Sequence, residues 1–233
     1  MVVVRAWKSS SEKTTNLLKT ICNLTQNLLS ENGISFDDIG VIIHAGVYRR
    51  NFRTEPAFAT HIQGDLKLKC GPVTQESHHC FSFDVSDGSC SPYVALNVAS
   101  HMLRIKPEKY CLITIGDERP NKQSNWPYQP ITCVMLVALE GAGYQLTGTN
   151  FDSSAFDSST YVEMIFDSAK SANVIGESIS AAQINSDKSK FSGDTNWLSG
   201  RHIHAFLSQF TEGTTNTHEI IDQSGKTVTA TWV

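Results

Sequence analysis

Charge is scarce in this chain of 233 residues: 18% are Asp, Glu, Lys or Arg, with a formal sum of −4. No long basic run occurs, so a nucleic-acid partner is not expected. No apolar stretch is long enough to cross a bilayer, and no apolar leader segment opens the chain, so a soluble, cytoplasmic protein without a membrane partner is expected. There is no C-x-x-C pair, no Gly-rich phosphate loop, no dinucleotide fingerprint and no tandem repeat. His78-His79-Cys80 with Cys70 lacks the paired spacing of a zinc site and leads into an apolar run. Neither a metal nor a cofactor is therefore expected. The six cysteines (Cys22, Cys70, Cys80, Cys90, Cys111, Cys133) are scattered, several within strand-like apolar runs, and read as reduced core residues.

Hydrophobic residues make up 40% of the chain, enough for a sizeable core in a single domain spanning residues 1–233. Residues 1–7 read as a short strand. Ser9-Ser10-Ser11-Glu12 offers capping residues for a helix in which Leu17, Leu18, Ile21, Leu24 and Leu28 recur at helical spacing, and Asn32-Gly33 ends it. Val41 to Gly46 is a buried strand, residues 55–66 a helix, and Tyr110 to Gly116 a second strand buried on both faces. Residues 131–140 and 143–150 read as a hairpin around Gly141-Ala142. Strand and helix thus alternate over residues 1–150, which predicts an α/β sheet with helices on both faces. In the remainder, residues 161–172 read as a helix, and residues 175–196 are small, polar and expected to be mobile. Residues 197–210 read as an amphipathic helix, and a terminal hairpin turns at Ser224-Gly225.

The chain is organised around residues 81–103, FSFDVSDGSCSPYVALNVASHML. Phe81, Phe83 and Val85 alternate as in a strand, Asp87-Gly88-Ser89 is a turn, and Ser91-Pro92 is a helix start. Such an elbow holds a side chain at a helix N-terminus, where N–H groups and the dipole favour negative charge. Ser89 and Cys90 occupy it and are the candidate nucleophiles. A compact basic loop, Tyr48-Arg49-Arg50-Asn51-Phe52-Arg53, follows the Val41–Gly46 strand. Arg49, Arg50 and Arg53 are either solvated loop residues or candidate substrate-binding contacts to an acidic or phosphate-bearing partner.

Several segments together resemble the thiolase fold, and within it β-ketoacyl-acyl-carrier-protein synthase III. They are GISFDDIGVIIHAGVYRRNFRTEPAFATHIQGDL (33–66), the elbow segment, YCLITIGDE (110–118) and CVMLVALEGAGYQLTG (133–148). GRHIHAFLSQFTEG (200–213) and GKTVTATWV (225–233) match more loosely. The resemblance implies two pseudo-symmetric βαβαβαββ halves, with helices between and outside mixed sheets. Residues 1–150 would form the first half with the elbow, and residues 151–233 a truncated second half.

The family writes its elbow as Asp-x-x-x-x-Cys-x-Gly. Counting from Asp84 without gaps, with Ala95-Leu96 as a check, places Ser89 at the nucleophile position. Cys90 follows it and Ser91 replaces the glycine, while a shift of one residue would restore Cys90. The Gly-Asp-Gly-Ala-Gly turn of the family is replaced by Ile131-Thr132-Cys133-Val134-Met135. His202, His204 and His218 lie in no His-Gln-x-Asn or Gly-Asn context and read as surface or helix histidines. Serine requires an adjacent base, and condensation requires donors where enolate charge develops.

The resemblance therefore implies a catalytically degenerate ketosynthase III-like subunit in polyketide or fatty-acid-derived secondary metabolism. Its partner would be an active ketosynthase in a heterodimer, or a second copy in a homodimer, with acyl carrier protein or acyl-CoA as a further partner. The alternative is an acyltransferase or starter-unit condensing enzyme using Cys90 or Ser89 as a covalent acyl acceptor.

Overall fold

A computed structural model describes residues 1–11, 16–46, 56–69, 79–105, 108–117, 131–155, 182–186, 189–192, 199–211, 213–221 and 226–233. The first half runs β1 (Val2–Ser10), α1 (Leu17–Glu31), a 3-10 turn (Phe36–Asp38), β2 (Ile39–Ala45), α2 (Phe58–Leu66), β3 (Phe81–Val85), α3 (Ser91–Ile105), β4 (Tyr110–Ile115), β5 (Thr132–Ala138) and β6 (Tyr144–Asp152). The second half adds β7 (Ala182–Ser186), β8 (Ser189–Ser192), α4 (Ser199–Gln209), β9 (Asn216–Ile221) and β10 (Thr227–Trp232).

All ten of these strands lie in one mixed sheet, in the order β3-β2-β4-β5-β1-β6-β10-β9-β7-β8. β3, β2 and β4 run parallel, and the other pairings are antiparallel. The two halves are stitched where β6 pairs on one side with β1 and on the other with β10.

Alternation within the strands sorts side chains to the two faces of the sheet. Val41, Ile43, Cys111, Ile113, Cys133, Met135 and Val137 join one core with α3 and α4. Ile42, Leu112, Val134 and Leu136 join the other with α1 and α2. Helices on both faces and strands buried on both sides match the sequence expectation, because only a strand covered twice can be apolar at every position.

Four local expectations are corrected. β1 extends through Ser10, so the serines there are strand residues, and Asn16 is the cap of α1, its side chain accepting from the Lys19 amide. Residues 131–150 do not form a hairpin: β5 and β6 lie on opposite sides of β1, which supplies hydrogen bonds to both. Part of the 175–196 segment is ordered as β7 and β8, paired to each other and to β9. His202 does stand on a helix, α4, but it is fully buried, and His218 is a fully buried strand residue, so neither is a surface residue. The expected 161–172 helix lies outside the described residues.

Five cysteines, Cys22, Cys80, Cys90, Cys111 and Cys133, are buried thiols, with no disulfide among the described residues. Burial pushes the Cys22 thiol up to about 11, helped by Asp65, and holds Cys111 and Cys133 well above the ordinary thiol range. Among the described residues no helix is long and apolar enough to cross a membrane.

Candidate functional site

The parallel strands β2, β3 and β4 end on the same side of the sheet, where open α/β sheets bind their ligands. The elbow stands there, between β3 and α3. Gly88 adopts the left-handed φ of 56° that the turn requires and that a Cβ disfavours. The Cys90 carbonyl accepts the first helical bonds, from Tyr93 N at 3.0 Å and Val94 N at 3.2 Å, so Cys90 occupies the cap position of α3.

Ser91, expected to cap the helix, instead turns its hydroxyl back into the elbow. It donates to Gly88 O at 2.8 Å and accepts from Asp87 N at 2.7 Å. The serine standing where the resembled family has glycine thus ties the turn internally. Ser89 and Cys90, the two candidate nucleophiles, are each 1% exposed, and Cys90 is packed in the α3/α4 core.

The elbow is anchored from four directions. Ser86 Oγ donates to Gly46 O at the end of β2, at 2.9 Å. Asp84 on β3 accepts from Phe58 N at 2.6 Å and Ala59 N at 2.8 Å, supplying the N-terminal cap that Ala57, the residue before α2, has no side chain to give. From the second half, Ser199 at the start of α4 donates to Gly88 O at 3.3 Å, and Lys226 forms an ion pair with Asp87.

Beneath the first turn of α3 lies a buried polar and aromatic cluster. Trp232 Nε1 can only donate, and it lies 3.3 Å from Tyr93 Oη. Tyr93 Oη in turn lies 2.5 Å from His218 Nδ1, where its proton has an acceptor. In that arrangement His218 is the neutral tautomer protonated on Nε2, a nitrogen with no hydrogen-bond partner among the described residues. The imidazole stacks on Phe206 at 4.7 Å with an interplanar angle of 2°. Burial, with His202 nearby, holds His218 well below the ordinary histidine range. His202 is lowered to about 3 by burial alone, and burial drives Tyr93 up. His204 stands apart, half-buried, its Nδ1 2.8 Å from Ser9 Oγ.

A third buried imidazole, His44, lies across the sheet in register with Asp84 on one side and Thr114 on the other. Its Nδ1 is 3.0 Å from Thr114 Oγ1, and Phe58 packs on its ring with centroids 4.6 Å apart.

The structure thus brings Ser89 and Cys90 together at the elbow, while Arg49, Arg50 and Arg53 lie outside the described residues. Sequence reasoning missed Tyr93, His218, Trp232, Ser199 and Lys226. The parity of the terminal hairpin carried part of that signal. His218 shares its inward-facing positions with Ile220, and Trp232 shares those of β10 with Val228 and Ala230.

Compared by sequence, the chain matches no family model and no curated protein. Compared by fold, it is similar to a variant of OleA from Xanthomonas campestris, with a TM-score of 0.67 at 15% identity over 95% of this chain and 83% of that one. It is similar to 3-oxoacyl-(acyl carrier protein) synthase III from Xanthomonas oryzae pv. oryzae, with a TM-score of 0.65 at 15% identity over 94% and 82%. Another OleA variant, solved with bound lauric acid and lauroyl-CoA, gives a TM-score of 0.64 at 15% identity over 93% and 82%. The fold is thiolase-like.

Proposed function

We propose that this chain is a ketosynthase III-like subunit that does not itself catalyse condensation, and that it pairs with an active ketosynthase in making a fatty-acid-derived or polyketide product. The observation that carries the reading is the state of the elbow. Its backbone turn is kept, yet both residues available as nucleophile are 1% exposed, and Ser91 ties the turn where the family places glycine. A nucleophile must meet its acyl donor, and a thiol or hydroxyl held in the core cannot. The core around it is intact, which suits a subunit retained for its shape.

The test compares the purified chain alone with the chain co-expressed with a full-length ketosynthase carrying an intact Cys-His-Asn set. The expected result is a heterodimer on size-exclusion chromatography, with condensation only in the pair. Condensation or acyl transfer by the chain alone overturns the reading.

One feature favours a second reading, that of an acyltransferase or starter-unit enzyme. Cys90 caps a 15-residue helix behind a left-handed glycine, a placement that stabilises a thiolate. A covalent adduct after incubation with acyl-CoA, seen by intact-mass spectrometry and abolished in Cys90→Ala, would establish it.

A further inference from the structure

We propose that the second half of the chain latches the elbow shut, with Lys226 and Ser199 as the latch, so that opening these contacts uncovers the Cys90 thiol. This goes beyond the subunit reading, because it concerns access to Cys90 rather than condensation.

The turn is held first from within its own half. Within the first half, Ser91 closes the turn on itself through Gly88 O and Asp87 N, and Ser86 ties it to Gly46. These contacts fix the shape of the turn but leave its outer side to be covered. Among the described residues, two contacts reach it from more than a hundred positions away in sequence. Ser199, the first residue of α4, reaches the same Gly88 carbonyl that Ser91 engages. Lys226, immediately before β10, pairs with the Asp87 carboxylate.

Ser199 is fully buried, whereas the side chains of Lys226 and Asp87 are 22% and 20% exposed. The latch therefore has one dry contact and one at the water boundary. The boundary contact is the one that solvent, salt or a partner's charge can reach. α4 also carries Ile203, Phe206 and Leu207 into the core that contains Cys90, so a helix released at its Ser199 end holds that core less tightly over the thiol. The two latch residues hold the elbow from different elements, so loss of either contact loosens the cover. Opening is thus a local event, short of unfolding the sheet.

The test is alkylation of the full chain with iodoacetamide under native conditions, without any acyl donor, read by peptide mapping. Cys111 and Cys133, both 0% exposed in the sheet, report global unfolding in the same sample. Lys226→Met is expected to label Cys90 roughly fivefold faster or more, with Cys111 and Cys133 unchanged, and Lys226→Arg is expected to restore the slow rate. Raising the unaltered chain to about 1 M salt should accelerate Cys90 in the same selective way, since screening weakens a pair at the water boundary. That arm stands even if Lys226→Met fails to fold. The proposal is overturned if Cys90 labels rapidly in the unaltered chain, if neither the variant nor salt changes its rate, or if all three thiols accelerate together. Its failure is separable from failure of the subunit reading, which turns on condensation and not on labelling.

Discussion

On the α1/α2 side of the sheet, Leu17, Ile21, Leu28, Leu29, Ile42, Ile62 and Leu112 make a mainly aliphatic core, with the His44–Thr114 pair as a local polar contact. On the α3/α4 side the aliphatic residues surround Tyr93, His218, Phe206 and Trp232, with His202 nearby. Both faces are equally dry. An aliphatic core tolerates imprecision in direction, because dispersion and the hydrophobic effect have none. A buried hydroxyl–imidazole–indole chain holds only if every donor meets its acceptor. The elbow sits over the second kind of core, and this side is consequently the more sensitive to both substitution and pH.

The sharpest break is Trp232→Ala. It removes a buried indole packed against Phe206 at 5.5 Å and Tyr93 at 6.1 Å, and should cost about 3–5 kcal/mol in urea denaturation. A loss below about 1 kcal/mol would mean that the cluster is not close-packed.

Acid comes next. His202 has a folded pKa near 3 against an ordinary 6.5, and His218 is depressed as well. The unfolded chain therefore binds the protons more readily, and stability falls as pH drops below 6.5. His202 alone should cost about 3 kcal/mol between neutral pH and pH 4. His202→Gln should flatten that part of the stability–pH curve, and an unchanged slope would place the acid sensitivity elsewhere.

Tyr93→Phe keeps the ring but strips both His218 Nδ1 and Trp232 Nε1 of their partner, for about 1–3 kcal/mol. The smallest expected effect is on the aliphatic side. Asp84→Ala uncaps α2 and should cost about 1 kcal/mol, with protection from amide exchange lost first at Phe58 and Ala59. If Asp84→Ala proved more damaging than Tyr93→Phe, the contrast between the two faces would be reversed.

Much of the first half was legible because its signals are periodic. Apolar residues at nearly every position announced β2 and β4 as doubly covered strands, and Gly33 and Gly88 marked turns that do take positive φ. The 131–150 segment misled for a physical reason. Two apolar runs separated by a Gly-rich turn look the same whether they pair with each other or flank a third strand, and β1 comes from the far end of the half. The histidines misled because a hydrophilic residue type was taken for a surface one. At the elbow, the turn was legible, but the second role of Ser91 was not: a serine before proline reads as a helix cap, and its hydroxyl found Asp87 and Gly88 closer.

Local patterning by itself determined the alternation of strand and helix, the elbow with Ser89 and Cys90 on it, and the two-faced sheet, since each follows from side-chain periodicity over a few residues. Only the tertiary structure decided that those two side chains are buried, that Asp84 caps a helix 25 residues upstream, and that Lys226 and Ser199 close over the turn. Hydrogen bonds and ion pairs of this kind act over a few ångströms in space. They join residues that sequence separates by tens to more than a hundred positions, so no local pattern records them.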